Sequence, residues 1–155
     1  MKIVTFNAGL LSIDVLWGLK KVEPAAFVAD RLAAMPAVLA ALDADLLLMQ
    51  EVYSQAHKAF LARELASVLP HVAFSRVDSR FRLLPDSLMV FSKQRLEAAQ
   101  FIRFEAGRWD ERLLDTKGFM SVDLPASPLG PMRVLKVHTT AGVFTHPENP
   151  KIDRV

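Results

Sequence analysis

The sequence predicts an α+β fold in which a mixed or largely antiparallel sheet carries helices on one face. Strand and helix patterns alternate at first, as strand, helix, strand, helix, and only strand patterns follow them. The run Leu46 to Gln50 is apolar over its whole length, which is typical of a strand covered on both faces. Because the helices cover only one face of the sheet, the other face must be covered by something else.

Length and composition define the class of protein. A chain of 155 residues suffices for one domain with a substantial core and is too short for two ordinary ones. With 52% hydrophobic and 23% charged residues it is globular, and the absence of cysteine excludes disulfides and thiolate chemistry. A net charge of +2 permits an anionic substrate without indicating nucleic acid. The sequence shows no signal peptide or membrane-spanning run, so we expect a cytoplasmic protein.

The first elements follow from local patterns. Lys2 to Phe6 is rich in β-formers and predicts a strand, and Asn7-Ala8-Gly9 predicts a turn after it. Leu10 to Val22 is expected to be an irregular apolar insertion. A helix then follows, with a kink or break expected at Pro36. Its apolar stripe comprises Phe27, Leu32, Met35, Leu39 and Leu42.

The remaining elements are a second helix and a series of strands. Ser54 is a candidate cap for a helix that ends before Pro70. Its apolar side comprises Phe60, Leu61, Leu65 and Val68. The predicted strands are Val72 to Arg76, Leu88 to Ser92, Ala99 to Phe104, Phe119 to Leu124 and Met132 to His138. Arg108 to Asp115 is expected to be a polar loop.

Three polar side chains come at predicted strand ends. Asn7 follows the first strand, Glu51 the second, and His138 ends the last. If these strands share a sheet with their carboxyl ends together, the three side chains cluster. A carboxylate can bind a hard divalent cation, an amide can orient it, and an imidazole can contact a phosphate oxygen. The cluster would therefore suit phosphoryl chemistry.

Each of these residues also has a purely structural interpretation. Glu51 can be the first solvated residue after a core strand, and Asn7 a turn residue. His138 can be a hydrogen-bonded structural residue, and Lys117 a solvated loop lysine. The sequence contains no zinc-like ligand spacing, no glycine-rich phosphate loop and no nucleophile elbow.

The ordered set of motifs resembles the endonuclease/exonuclease/phosphatase superfamily of DNase I-like enzymes. The motifs are Thr5-Phe6-Asn7, Asp45 to Val52, Leu88 to Lys93, Lys117-Gly118-Phe119 and Val137 to Gly142. The last two are more similar to the neutral-sphingomyelinase-like branch than to abasic-site nucleases. The resemblance implies the N-terminal half of a four-layer α/β/β/α sandwich, and a Mg²⁺-dependent (or Mn²⁺-dependent) phosphodiesterase lineage.

The resemblance also implies roles for particular residues. Glu51 would bind the metal, with Asn7 beside it in the metal site. His138 would lie by the scissile phosphate, and Lys117 near it. The later Gly-Asp-Phe-Asn-type motif and the terminal Asp-His pair of such enzymes have no counterpart in this sequence. We therefore expect residues 1–155 to form a single, C-terminally truncated domain that has little or no turnover by itself.

A rival hypothesis is a non-catalytic half-domain that acts by self-association or by complementation with a missing C-terminal half. If the second sheet were absent, the inner face of the first would be uncovered. That face would expose Leu88, Val90, Val122 and Val134, and we would expect a two-fold homodimer. The substrate is expected to be a phosphate ester, whether of a lipid, a nucleic acid or an inositol phosphate.

Overall fold

The computed structural model describes residues 1–11, 13–15, 20–22, 25–75, 86–104 and 116–138. The predicted α+β composition is confirmed, with two helices and nine strands among the described residues. In chain order they are β1 (Ile3–Leu10), β2 (Ile13–Val15), β3 (Lys20–Val22), α1 (Val28–Ala41), β4 (Leu46–Val52), α2 (Gln55–Glu64), β5 (His71–Phe74), β6 (Met89–Ser92), β7 (Glu97–Arg103), β8 (Gly118–Leu124) and β9 (Met132–His138).

Two sheets form the centre of the molecule. The first has four strands in the order β1-β4-β6-β5, with β1 and β4 parallel and the other pairs antiparallel. The second has three antiparallel strands in the order β7-β8-β9. The first sheet is therefore mixed, as predicted, but the later strands form a separate sheet instead of extending it.

Two hydrophobic cores lie on opposite faces of the four-stranded sheet. The core under α1 and α2 is built from Leu39, Leu47, Met49, Leu61 and Phe91, all of them almost fully buried. The core between the two sheets contains Leu46, Val90, Met120, Val122 and Leu124. Alternate residues of β4 thus contribute to different cores, which explains why its sequence is apolar throughout.

The expectation of an uncovered inner face is wrong. Leu88, Val90 and Val122 are 2%, 0% and 0% exposed, and Val134 packs against the same core. The physical reason is that β7, β8 and β9 fold back as a second sheet over this face. The chain therefore forms both central layers of a sandwich and needs no partner to cover these side chains.

The helices differ in detail from the prediction. The sequence predicts a kink or break at Pro36, yet α1 continues through Pro36 over 14 residues. Its buried side chains, Val28, Met35 and Leu39, anchor it on both sides of the proline. Ser54 occupies the N-cap position of α2 in an extended conformation, but its side chain makes no capping hydrogen bond. α2 ends at Glu64, and the chain continues through turns to Leu69.

Residues 10–22 are predicted to be irregular, but β1 continues to Leu10 and β2 and β3 pair as an antiparallel hairpin. The predicted strand residue Arg76, the predicted loop Arg108 to Asp115 and the residues after His138 lie outside the described residues. Among the described helices, none is long and apolar enough to cross a membrane.

Candidate active site

The site is built from side chains of three strands in two sheets. β1 and β4 are parallel, so Asn7 and Glu51 emerge at the same edge of the first sheet. His138 is the last residue of β9 in the second sheet. Asn7 Nδ2 donates to Glu51 Oε1 at 2.8 Å, and His138 Nε2 lies 3.6 Å from the same oxygen. The three residues predicted to cluster therefore do so, but across two sheets instead of within one.

The backbone conformation of Glu51 directs its side chain to the site. Strict alternation along β4 would point Glu51 toward the helices, on the side of Leu47 and Met49. Glu51 instead has a φ of 61°, in the left-handed region that a non-glycine residue rarely adopts. Its side chain consequently lies between the sheets, while the next residue, Val52, returns to the helix-side core.

A bulge in β1 accompanies this change. The β1–β4 register shifts between Asn7 and Leu10, where two positions of β1 face one of β4. Gly9 has a φ of 57° there, and its N–H donates to Asn7 Oδ1 at 2.9 Å. Arg31 of α1 donates to the Gly9 carbonyl at 2.5 Å. The predicted turn at Asn7-Ala8-Gly9 is therefore a bulge within a longer strand, and it fixes the orientation of the Asn7 amide.

Gly118 lies in β8 between His138 of β9 and the closely packed β7. Gly118 pairs with His138 across β8 and β9 and with Arg103 across β7. A Cβ atom at Gly118 would lie 2.3 Å from the Ile102 carbonyl oxygen, so no larger residue fits without separating β7 from β8. Lys117 immediately precedes this glycine. A small pocket opens beside it, lined by Ser87, Leu88, Thr116, Lys117, Gly118 and His138.

The electrostatic environment keeps the imidazole neutral more readily than in water. Burial is the main cause that lowers the pKa of His138, and the nearby charge of Lys117 lowers it further. The Glu51 carboxylate opposes this effect, and Lys136 adds to it. The His138 and Glu51 side chains are 25% and 29% exposed, so the site is open to a ligand.

Sequence reasoning missed Lys136. It lies on the inner face of β9, two positions before His138, and is 5% exposed. Its Nζ donates to Gln50 Oε1 at 2.6 Å and lies 3.5 Å from Thr5 Oγ1. Gln50 precedes Glu51, and Thr5 precedes Asn7 by two residues on the same face. The sequence did offer one signal, because Val134, Lys136 and His138 are alternate residues of β9 and therefore lie on the same face of the strand.

A buried ion pair supports the wall of the pocket. Lys58 of α2 and Asp86 are both fully buried, with Nζ 3.2 Å from Oδ2. The same Nζ donates to the Asp86 carbonyl at 2.8 Å and lies 3.5 Å from the Ser75 carbonyl. Asp86 Oδ1 accepts the Leu88 N–H, and the Ser87 carbonyl accepts the Val52 N–H. Lys58 thus holds the pocket residues against the strand end that carries Glu51.

The donor set suits a hard divalent cation bound through oxygen. Glu51 Oε1 is engaged by Asn7, and none of the described residues donates a hydrogen bond to Oε2. Mg²⁺ commonly uses one or two carboxylates, several waters and a substrate phosphate. Within the described ranges, no three His, Cys, Asp or Glu side chains cluster, so Glu51 is the central ligand candidate. In this geometry the Asn7 amide orients the carboxylate.

No protein-family model matches the sequence, and no curated protein is significantly similar to it. Solved structures do match. A variant of beta toxin from Staphylococcus aureus with bound magnesium ions has a TM-score of 0.69 and 16% identity, covering 88% of this chain and 48% of that chain. Sphingomyelinase C from Streptomyces griseocarneus has a TM-score of 0.65 and 19% identity, covering 89% and 48%.

An endonuclease/exonuclease/phosphatase family protein from Leptotrichia buccalis also matches. Its TM-score is 0.60 at 13% identity, covering 92% of this chain and 55% of that chain. The chain has the DNase I-like fold. The predicted resemblance is thereby confirmed at the level of the fold, and the chain spans about half the length of the structures it matches. Within this fold, Asn7 of β1, Glu51 of β4 and His138 of β9 meet between the two central sheets.

Proposed function

We propose that the chain carries one wall of the active site of a Mg²⁺-dependent or Mn²⁺-dependent phosphodiesterase. The observation that carries this proposal is the convergence of Asn7 and His138 on one oxygen of Glu51, at 2.8 Å and 3.6 Å, from two different sheets. A carboxylate held by an amide, beside an imidazole and a lysine-lined pocket, suits a metal and a phosphate together.

Each residue has a distinct task in this proposal. Glu51 holds the cation through its carboxylate, and Asn7 keeps that carboxylate in position. When bound, the cation polarises a phosphoryl oxygen and activates a water. His138 donates a hydrogen bond to a phosphate oxygen, and Lys117 attracts the phosphate charge into the pocket it lines. Esters of lipids, nucleic acids and inositol phosphates all present such a phosphate.

We also propose that the isolated chain has little or no turnover. Among the described residues, Glu51 is the carboxylate offered to the cation, because the Asn7 amide is engaged with Glu51 and Gly9. We assign to none of the described residues the positioning of the nucleophilic water. The structures that it matches are about twice as long, and a segment from outside this sequence would supply these groups.

The test measures binding and hydrolysis separately. Titration with Mg²⁺ and inorganic phosphate, followed by NMR of the His138 ring, is expected to show Mg²⁺-enhanced phosphate binding that Glu51→Gln abolishes. Glu64→Gln, at an exposed carboxylate paired with Arg63, is the matched control and should bind as the wild type does.

The two parts of the proposal fail in different ways. Phosphate binding that is indifferent to Mg²⁺ and to Glu51→Gln would overturn the metal-dependent site. Fast Mg²⁺-dependent hydrolysis of a chromogenic phosphodiester by this chain, lost in Glu51→Gln, would instead overturn only the proposed inactivity.

A second candidate function is assembly without catalysis. Among the described strands, β1 and β9 are end strands of their sheets, and both carry site residues. The outer face of the second sheet exposes Ile102, Leu135 and Val137, at 43%, 58% and 42%. Such edges and apolar faces favour pairing with a second copy or with a complementing half. Sedimentation that shows a stable monomer at high concentration would contradict self-association.

A further inference from the structure

Lys136 is a buried cation in a position that structural need alone does not explain. It belongs to the inner face of β9, where the preceding inward residue, Val134, packs into the apolar core. A leucine or valine at position 136 would continue that core. The chain instead places an ammonium group there, 5% exposed, and burial lowers its pKa.

The contacts of Lys136 leave its charge uncompensated. Its two hydrogen-bond acceptors are Gln50 Oε1 and Thr5 Oγ1, an amide and a hydroxyl oxygen. Among the described residues no carboxylate forms an ion pair with Nζ. Lys58, by contrast, has the Asp86 carboxylate at 3.2 Å. Because none of the described carboxylates pairs with Lys136 Nζ, we expect the ammonium group to exert its field on the groups around it.

The candidate site lies close to the Lys136 ammonium group. Lys136 and His138 are two positions apart on one strand face, which corresponds to roughly 6.6 Å between their Cα atoms. Gln50 and Thr5 precede the site residues Glu51 and Asn7 on β4 and β1. The ammonium group therefore lies one layer behind the Asn7–Glu51–His138 cluster, between the two sheets.

We propose that Lys136 is an electrostatic positioning residue that favours an anionic phosphate at the site without touching it. Its ammonium group, held by Gln50 and Thr5, offsets the repulsion between the Glu51 carboxylate and the phosphate. This inference rests on the proposed function and deepens it. It assigns the preference of the site for an anion to a residue that contacts neither the cation nor the phosphate.

The experiment compares two ligands of opposite charge. Phosphate affinity at saturating Mg²⁺, and Mg²⁺ affinity without phosphate, are measured by calorimetry for the wild type, Lys136→Met and Lys136→Arg. Lys136→Met is expected to weaken phosphate binding by roughly tenfold and to strengthen Mg²⁺ binding by roughly two- to fivefold. Lys136→Arg, which keeps the charge, is expected to stay within about threefold of the wild type for both.

A purely structural role would give a different result. Loosened strands would weaken both ligands together, so a parallel loss of phosphate and Mg²⁺ affinity in Lys136→Met would overturn the inference and leave the proposed function standing. A wild type that binds neither ligand would overturn both.

The matched control is Lys93→Met. It removes a lysine charge from an exposed ion pair with Asp43 at the opposite ends of the strands, and it should change neither affinity. Circular dichroism and urea unfolding of each variant verify that the fold is retained. Equal effects of Lys93→Met and Lys136→Met would show a general charge effect and would also overturn the inference.

Discussion

The regions around Lys58 and Lys136 use a buried lysine in opposite ways. Lys58 connects α2 to the pocket wall, is 0% exposed and forms an ion pair with Asp86. Lys136 lies between the sheets and donates to neutral oxygens. In the first region the charge is balanced inside the fold, so the loss of either partner would leave the other buried and unpaired. In the second region no described carboxylate pairs with the Lys136 ammonium group, so its positive charge is proposed to act on the site.

The largest expected effect is the loss of one member of the Lys58–Asp86 pair. Lys58→Met leaves the Asp86 carboxylate buried without a counter-charge, which should lower the free energy of unfolding by about 3–5 kcal/mol. Urea denaturation followed by circular dichroism measures this change. A loss under about 1 kcal/mol would mean that the pair is not enclosed as described.

The double variant Lys58→Met/Asp86→Leu is the control for this prediction. It removes both charges and should recover most of the lost stability. Recovery should remain incomplete because Asp86 Oδ1 also accepts the Leu88 N–H, which the double variant leaves unpaired.

A smaller effect on stability is expected at Lys136. Lys136→Met removes a charge whose burial is unfavourable, and it leaves Gln50 Oε1 without its donor. These changes oppose each other, so the free energy of unfolding should change by no more than about 1 kcal/mol. The same urea experiment checks it. A loss as large as that of Lys58→Met would erase the distinction between the two regions.

The smallest expected effect on stability comes from an exposed lysine, Lys93, which contrasts with both buried lysines. Hydrogen bonding from Lys93 holds the pKa of Asp43 below its usual range, and the Lys2 backbone N–H does the same for Asp45, with Lys93 contributing. A lowered carboxyl pKa stabilises the fold above the unfolded pKa of about 4, and this stabilisation is lost as pH falls through the folded value.

Thermal unfolding of the wild type and Lys93→Met between pH 6 and pH 2.5 measures this contribution. The wild type should unfold at a slightly higher temperature at pH 6, and the difference should disappear in acid and shrink in high salt. A difference that persists at pH 2.5 would show that Lys93 acts through something other than these carboxylates.

Much of the fold was predictable because local patterns determine it. β9 has the bounds predicted for it, Met132–His138, and β4 begins at Leu46 as predicted. The separation into two sheets was not predictable, because strand pairing depends on contacts between residues far apart in the sequence. The inner face that includes Val122 was therefore expected to be exposed. In the structure Val122 belongs to β8 and lies in the core between the two sheets.

The site was predictable in its members and not in its geometry. Asn7, Glu51 and His138 come at or near strand ends, and this signal was visible in the sequence. Asn7-Ala8-Gly9 predicts a turn because a bulge uses the same residue types. Lys136 was missed although it shares a strand face with Val134 and His138, because a lysine in a strand usually faces solvent. Its contacts with Gln50 and Thr5 depend on the packing of the two sheets.

The left-handed backbone of Glu51 has an evolutionary consequence. A non-glycine residue in this conformation costs the fold about 1–2 kcal/mol, and glycine or asparagine would relieve most of that strain. Drift unconstrained by chemistry would therefore favour those two residues at position 51. Under the proposed function, glutamate at position 51 keeps a carboxylate at a cost in stability. Its replacement by glycine or asparagine in related sequences would indicate that the site is no longer under selection.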